Sequence, residues 1–180
     1  MIPFFTIGHS NRTLDDFIAL LTDVGIECVV DVRTVPRSRA NPQFNKDTLP
    51  DALAACDIAY EHLAALGGLR GKARALNRAV NAFWENESFH NYADFALSEQ
   101  FRDGLARLID DGSKQRSVIM CSEAVWWRCH RRIVADYLIA NGRSVFHIMG
   151  QGRVEPARLT PGAVIQPNGT VVYPAPEVEA

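Results

Sequence analysis

The chain has 180 residues, enough for one domain with a core of its own. Hydrophobic residues make up 47% and charged residues 22%, which argues against extensive disorder, and no apolar run approaches the roughly 20 residues a membrane helix needs. A net charge of −2 argues against a uniformly basic nucleic-acid binder.

The N-terminal MIPFFTIGHS lacks a basic flank and runs straight into a strand pattern, so no secretory leader is expected. FFTIG (4–8) is a short apolar run stopped by glycine, the mark of a buried strand. Thr13 then opens TLDDFIALLTDVG. Asp16 follows it as a weaker variant of the capping box, Leu14, Phe17, Ile18 and Leu21 recur at helical spacing, and Gly25 ends the run. ECVVDVR (27–33) is the next strand. A strand, helix and strand in this order favour a parallel pair with a right-handed crossover.

The pattern repeats. A loop rich in Pro, Arg and Asn (34–45) leads to a helix at about 46–56, and IAYEHL (58–63) supplies a third strand. LGGLRG is a loop. Residues 73–111 read as helix in two or three pieces, broken near Asn86–Asn91 and again near Ser98. RSVIMC (116–121) is a strand, WRCHRRIVADYLIANG (127–142) a helix ending on Gly142, and SVFHIM (144–149) a last core strand. In the tail, two short β runs flank Asn168-Gly169, which predicts a small hairpin on a type I′ turn, with Pro167 restricting its first arm to an edge. The whole predicts one three-layer α/β domain over 1–180: a mainly parallel sheet flanked by helices, a core at about 3–150, and a tail with a hairpin at 151–180.

Ligands of open α/β sheets bind outside the carboxyl ends of the strands. Here His9 and Ser10 follow the first strand, Asp31 and Arg33 close the second, and Glu61 and His62 close the third. Cys121, Ser122 and Glu123 follow the fourth, and His147 lies near the end of the last. Cys121 is the best nucleophile candidate, because a thiol at a strand-to-helix junction meets helix N–H groups and nearby arginines that favour thiolate. Cys129 is a candidate resolving thiol or second ligand, and Glu123 and His130 are the proton carriers. Arg128, Arg131 and Arg132 sit at spacings that let a fork of guanidiniums hold phosphate or carboxylate. Arg33 either binds substrate with Arg37 or forms a buried pair with Asp31. Cys28 and Cys56 read as small buried hydrophobes.

Two alternatives stay open. Residues 33–46, 70–78 and 114–132 hold 13 of the 19 basic residues, and if they meet in space they form a positive face for nucleic acid. The aromatics Trp84, Phe89, Tyr92, Trp126 and Trp127 would then stack on bases if exposed, although most aromatics in such helices are core. Alternatively, Cys121, Cys129 and His130 bind a metal, although C-x7-C-H is not a recognised zinc spacing and no cofactor is expected on that ground. Four cysteines at irregular spacings point to reduced thiols and a cytoplasmic protein.

TIGHSNRTLDDFIALL, VDVRTVPRSRANPQFN, LGG, FHNYADF and MCSEAVWWRCHRRIVADYL, in this order, resemble the bacterial domain-of-unknown-function family numbered 488. The resemblance extends through HIMGQGRVEPARLTP. Its pattern falls on Gly8, His9 and Ser10, on Asp31, Arg33, Pro36 and Ser38, and on Asn41, Pro42 and Phe44. It continues on Gly67, Gly68 and Tyr92, then Cys121, Glu123, Cys129, His130 and Arg131. It implies a compact α/β domain and brings no agreed activity. VDVR followed by a strand-end cysteine also echoes the rhodanese layout. However, Cys121 to Arg128 is C-x6-R without the glycines that cradle an oxyanion, so that is analogy only. The expectation is an enzyme whose Cys121, Cys129, Glu123 and His130 act on an anionic substrate, with phosphate-bearing and nucleic-acid-related molecules as the candidates. His9, Ser10, Asp31, Arg33, Arg37, Tyr92 and Arg131 would bind that substrate, with no membrane partner.

Overall fold

A computed structural model describes residues 1–177. Six strands form one sheet in the order β3-β2-β4-β1-β5-β6, the first five parallel and β6 antiparallel. They are β1 (Phe4–Gly8), β2 (Cys28–Asp31), β3 (Ala59–His62), β4 (Ser117–Cys121), β5 (Val145–Gly150) and β6 (Arg153–Pro156). The helices are α1 (Leu14–Asp23), α2 (Leu49–Ala54), α3 (Glu87–Phe95), α4 (Glu99–Gly112) and α5 (Arg131–Ala140). Every residue of β1, β2 and β4 is buried, as the inner strands of a sheet covered on both faces must be.

Alternation along these strands builds two cores. Phe5, Ile7, Val29, Val118 and Met120 face α1 and α2, meeting Phe17, Leu21, Leu49 and Leu53. Phe4, Val30 and Ile119 face the other way, into Tyr92, Phe101, Leu108, Ile133 and Leu138 of α3, α4 and α5. Each such side chain contributes about 1.5–3 kcal/mol when fully buried, which is what holds three layers together.

β1 to β5 and the helices follow the sequence expectation in chain order, with helix boundaries that differ in three places and one further strand. α2 starts only at Leu49, because Pro50 favours the first helical turn. Residues 73–77 are irregular, and α3 begins where the Asn86 side chain accepts the Ser88 and Phe89 N–H groups. The break at Ser98 is present, with its hydroxyl accepting from Phe101 N–H. α5 begins at Arg131 rather than near 127: a 3-10 turn at Trp126–Arg128 comes first, and Cys129 is extended. β6 was not anticipated, since RVEP carries no strand pattern and forms by pairing with β5.

The tail hairpin exists as β7 (Val164–Ile165) and β8 (Val171–Val172), but its turn is not type I′. Gly169 has φ +82° while Asn168 does not enter the left-handed region, and Gly169 N–H bonds Gln166 O. Pro167 follows Gln166 with φ locked near −65°, which a type I′ turn forbids there. Tyr173, just past β8, is buried and donates its hydroxyl to Asp136 of α5.

This topology creates a crevice. β2 and β4 are neighbours, yet the chain leaves β2 through α2 towards β3 and leaves β4 through α5 towards β5, on opposite faces and in opposite directions. Their carboxyl ends therefore part, which is the place such sheets bind ligands.

Candidate functional site

A cavity of about 300 Å³ occupies that crevice. The segment after β2 lines it with Arg33, Thr34, Val35 and Arg37, and the segment after β4 with Cys121, Ser122, Glu123, Arg128, Cys129 and His130. Gly68 and Leu69 of the LGG loop and Ser88 and Phe89 of α3 close the remaining side. Sequence reasoning placed no role on Thr34, Val35, Leu69 or Ser88, marked Gly68 only through the family pattern, and offered Phe89 only as an aromatic for stacking on bases. The paired glycines of LGG and the FHNY run were their only signals, and neither states what it faces.

Cys121, Cys129 and His130 meet at the floor. Their Sγ and ring nitrogen atoms all lie within 4.8 Å of one another. His130 Nδ1 is 3.9 Å from Cys121 Sγ and 3.7 Å from Cys129 Sγ. His130 Nε2 stands 3.0 Å from Val32 O, and since a carbonyl only accepts, Nε2 carries a proton and Nδ1 is the nitrogen that faces both sulfurs. The extended backbone at Cys129 turns its thiol under the end of β4, so this contact depends on α5 starting late. Cys129, and not Cys121, stands at the entry to α5. The Cys129 thiol and His130 hold the Cys121 thiol well below its ordinary range against the opposing effect of burial. Burial and the adjacent Cys121 sulfur hold Cys129 well above it.

Several predicted site residues stand elsewhere. Asp31 is fully buried and pairs bidentately with Arg33, with Nε and Nη2 at 2.9 and 2.7 Å. Tyr60 donates to the same carboxylate at 2.6 Å, and Arg33 Nη2 also reaches Phe44 O. Arg33 Nη1 donates to His9 Nε2 at 3.2 Å, and His9 Nδ1 donates to Ser10 O at 2.8 Å. Burial and Arg33 push the His9 pKa down, so the ring is neutral with both nitrogens occupied. His9, Ser10 and Asp31 therefore do not line the cavity, whereas Arg33 does.

Arg131 is likewise buried, donating to Glu123 O at 2.7 Å and Ala124 O at 3.3 Å. It clamps the loop after Cys121 from behind, so no fork of three guanidiniums forms. Arg132 bonds Thr160 and lies over Trp84, and only Arg128 of the three lines the cavity. The loop is pinned from its other side by Gly8, where a Cβ would stand 1.8 Å from Glu123 O. Tyr92 is fully buried with its hydroxyl on Leu66 O, supporting the His130 ring edge-on at 4.9 Å. His147, which burial lowers to a pKa of about 4, bonds Thr6 and stacks on Trp126, away from the cavity. Cys56 is exposed rather than buried, and Cys28 is buried, its pKa raised to about 11 by burial.

The basic stretches do not converge on one face. Arg116 precedes β4 and bonds Val24 O, so it lies at the opposite edge from Arg128. Lys114 pairs with Asp110, Arg78 with Glu87 and Asp94, and Arg70 lies over Phe95. Of the aromatics, Trp84 and Tyr92 are core, Phe89 reaches the cavity and Trp127 is exposed. No described helix is long and apolar enough to cross a membrane.

No curated protein and no solved structure matches the chain significantly. The match to a family model, described as a domain of unknown function, DUF488, covers residues 13–138. It takes in β2, the LGG loop and the whole Cys121–Arg131 segment, and leaves out Gly8, His9, Ser10 and β5, which the motif resemblance had included. With more than half of its length matched by that model, the chain belongs to the DUF488 family.

Proposed function

We propose that the cavity between β2 and β4 is the active site of an enzyme acting on a small anionic, phosphate- or carboxylate-bearing substrate. One observation carries this reading: Cys121, Cys129 and the Nδ1 of His130 converge on the floor of a cavity whose rim bears Arg37 and Arg128. Clusters of perturbed titratable groups in a crevice at the switch point of an α/β sheet are where such folds do chemistry.

Roles follow from placement. Arg128 is exposed, lines the cavity and makes no ion pair among the described residues, so its guanidinium is available to an anion. Arg37 pairs with Asp47 in an exposed contact worth little, which a substrate anion can displace. Ser122 and Glu123, exposed beside Cys121, supply a hydroxyl and a carboxylate for proton transfer.

The test is turnover of a panel of phosphate monoesters, phosphodiesters and carboxylate esters. A substrate of this site loses turnover with Cys121→Ser. With Arg128→Ala its KM rises by about 10- to 100-fold, the worth of one charge-assisted hydrogen bond. Turnover that survives the Cys121→Ser, Cys129→Ser double variant, or no turnover and no saturable binding of any anion, rejects the proposal.

A further inference from the structure

We propose that Cys121, Cys129 and His130 are three ligands of a tetrahedral zinc ion whose fourth position opens on the cavity. The inference rests on the cavity being the active site and names the group at its centre. A tetrahedral zinc, with bonds of about 2.3 Å to sulfur and 2.0–2.1 Å to nitrogen, requires S···N edges of about 3.6 Å. The two edges here are 3.9 and 3.7 Å, and all three donor atoms lie within 4.8 Å. The S···N edges need shifts of a few tenths of an ångström, and bringing the two sulfurs to the roughly 3.8 Å of a tetrahedral site takes at most about 1 Å more, within the reach of cysteine rotamers.

The surroundings match what a metal centre needs. A ligating histidine normally donates its other ring N–H to a carbonyl or carboxylate, and His130 Nε2 does so to Val32 O. The same bond fixes the tautomer that leaves Nδ1 free to coordinate. Gly68 holds the ring without obstructing it. A Cβ there would lie 2.4 Å from Nδ1 and 2.8 Å from each of its ring neighbours, so it would sit over the ring face and not along the lone pair. A simple pair of packed thiols would explain neither the ring nitrogen that faces both of them nor a glycine shaped to the ring.

Charge and softness select the ion. Binding displaces to solvent whatever protons the cluster holds, and two thiolates plus one neutral imidazole cancel the dication, so the buried centre carries no net charge. Thiolate with imidazole favours zinc, whereas magnesium and calcium require oxygen ligands. Three protein ligands leave one position for water or an anionic substrate oxygen, the pattern of catalytic rather than structural zinc sites. Ser122, Glu123 and Arg128 border the cavity on that side.

Cobalt(II) titration of the full chain, stripped with chelator under reducing conditions, tests this. One equivalent is expected to give the intense visible bands of tetrahedral cobalt with thiolate charge transfer, and zinc should displace it. Cys121→Ser, Cys129→Ser and His130→Ala should each weaken binding by more than about 100-fold. Gly68→Ala, which pushes the ring off line, should weaken it by about 10- to 100-fold. Cys56→Ser, at the exposed cysteine outside the cluster, should change nothing. If a ligand variant unfolds, zinc protection of wild-type Cys121 and Cys129 from alkylation, read by mass spectrometry, decides in its place. Octahedral or absent cobalt bands, or bands that persist without the two cysteines, overturn the metal centre. Turnover dependent on Cys121 but with no metal leaves the active site standing and removes the ion. Metal binding without any anion turnover does the reverse.

Discussion

His9 and His130 both stand at the carboxyl edge of the sheet, flanking the end of β2, and each ring has a neighbour on both nitrogens. For His9 those neighbours complete its valence: Nδ1 donates to Ser10 O, Nε2 accepts from Arg33, and the arginine in turn is taken up by Asp31 and Phe44. For His130 only Nε2 is satisfied by backbone, and Nδ1 faces two sulfurs bordering a cavity. The two environments are similar in polarity and differ in saturation. A closed network fixes loops, while a cluster with donor atoms to spare can bind something, so the second is the site and the first its scaffold.

The sharpest way to break this contrast is to open the closed network. Asp31→Ala leaves the Arg33 guanidinium buried without its carboxylate and should cost about 3–5 kcal/mol in urea unfolding. A loss under about 1 kcal/mol would mean that the pair is not scaffold.

Acid should strain the scaffold next. His147 belongs with His9, buried beside Thr6 and Trp126 with Arg131 nearby, and its pKa of about 4 lies below the ordinary 6.5. The native ring stays neutral while the unfolded one takes up a proton below pH 6.5. Stability from this group is therefore complete above 6.5 and falls by on the order of 3 kcal/mol by pH 4. Thermal melts across that window should slope downward towards acid, and the slope should flatten in His147→Gln. An unchanged slope in the variant would assign the acid sensitivity elsewhere.

A smaller effect is expected where scaffold and site touch. Gly8→Ala places a methyl against Glu123 O, so the loop bearing Ser122 and Glu123 must move, at about 1–3 kcal/mol by denaturant unfolding. Turnover should fall more than stability does, and a stable variant with unaltered kinetics would contradict the loop's role. The smallest effect on stability belongs to the site itself. Arg128→Ala should unfold within about 0.5 kcal/mol of the parent. A large loss of stability there would make Arg128 a structural residue and not an open anion ligand.

Much of the architecture was legible along the chain because it rests on local patterns. FFTIG, CVVD and SVIMC read as buried strands since their apolar runs are short and β-rich, and Thr13 and Ser98 cap helices by bonds within one turn. β6 was not legible, because RVEP becomes a strand only by pairing with β5. The late start of α5 was hidden too, since the extended Cys129 answers to contacts under the sheet and not to helix propensity. The same limit governs the site. Sequence alone placed Cys121, Cys129 and His130 in one segment and put His9, Arg33 and Arg131 at strand ends and helix starts.

What sequence alone determined is which polar residues gather at the carboxyl edge, because strand ends follow from apolar runs and the turns that stop them. Only the tertiary structure decided which of them are already satisfied. Whether Arg131 reaches a substrate or the backbone of its own loop depends on a carbonyl brought close by Gly8, and whether His130 coordinates or is capped depends on Val32 and Gly68. Those partners come from distant parts of the chain, and hydrogen-bond saturation is a property of the packed neighbourhood rather than of the residue.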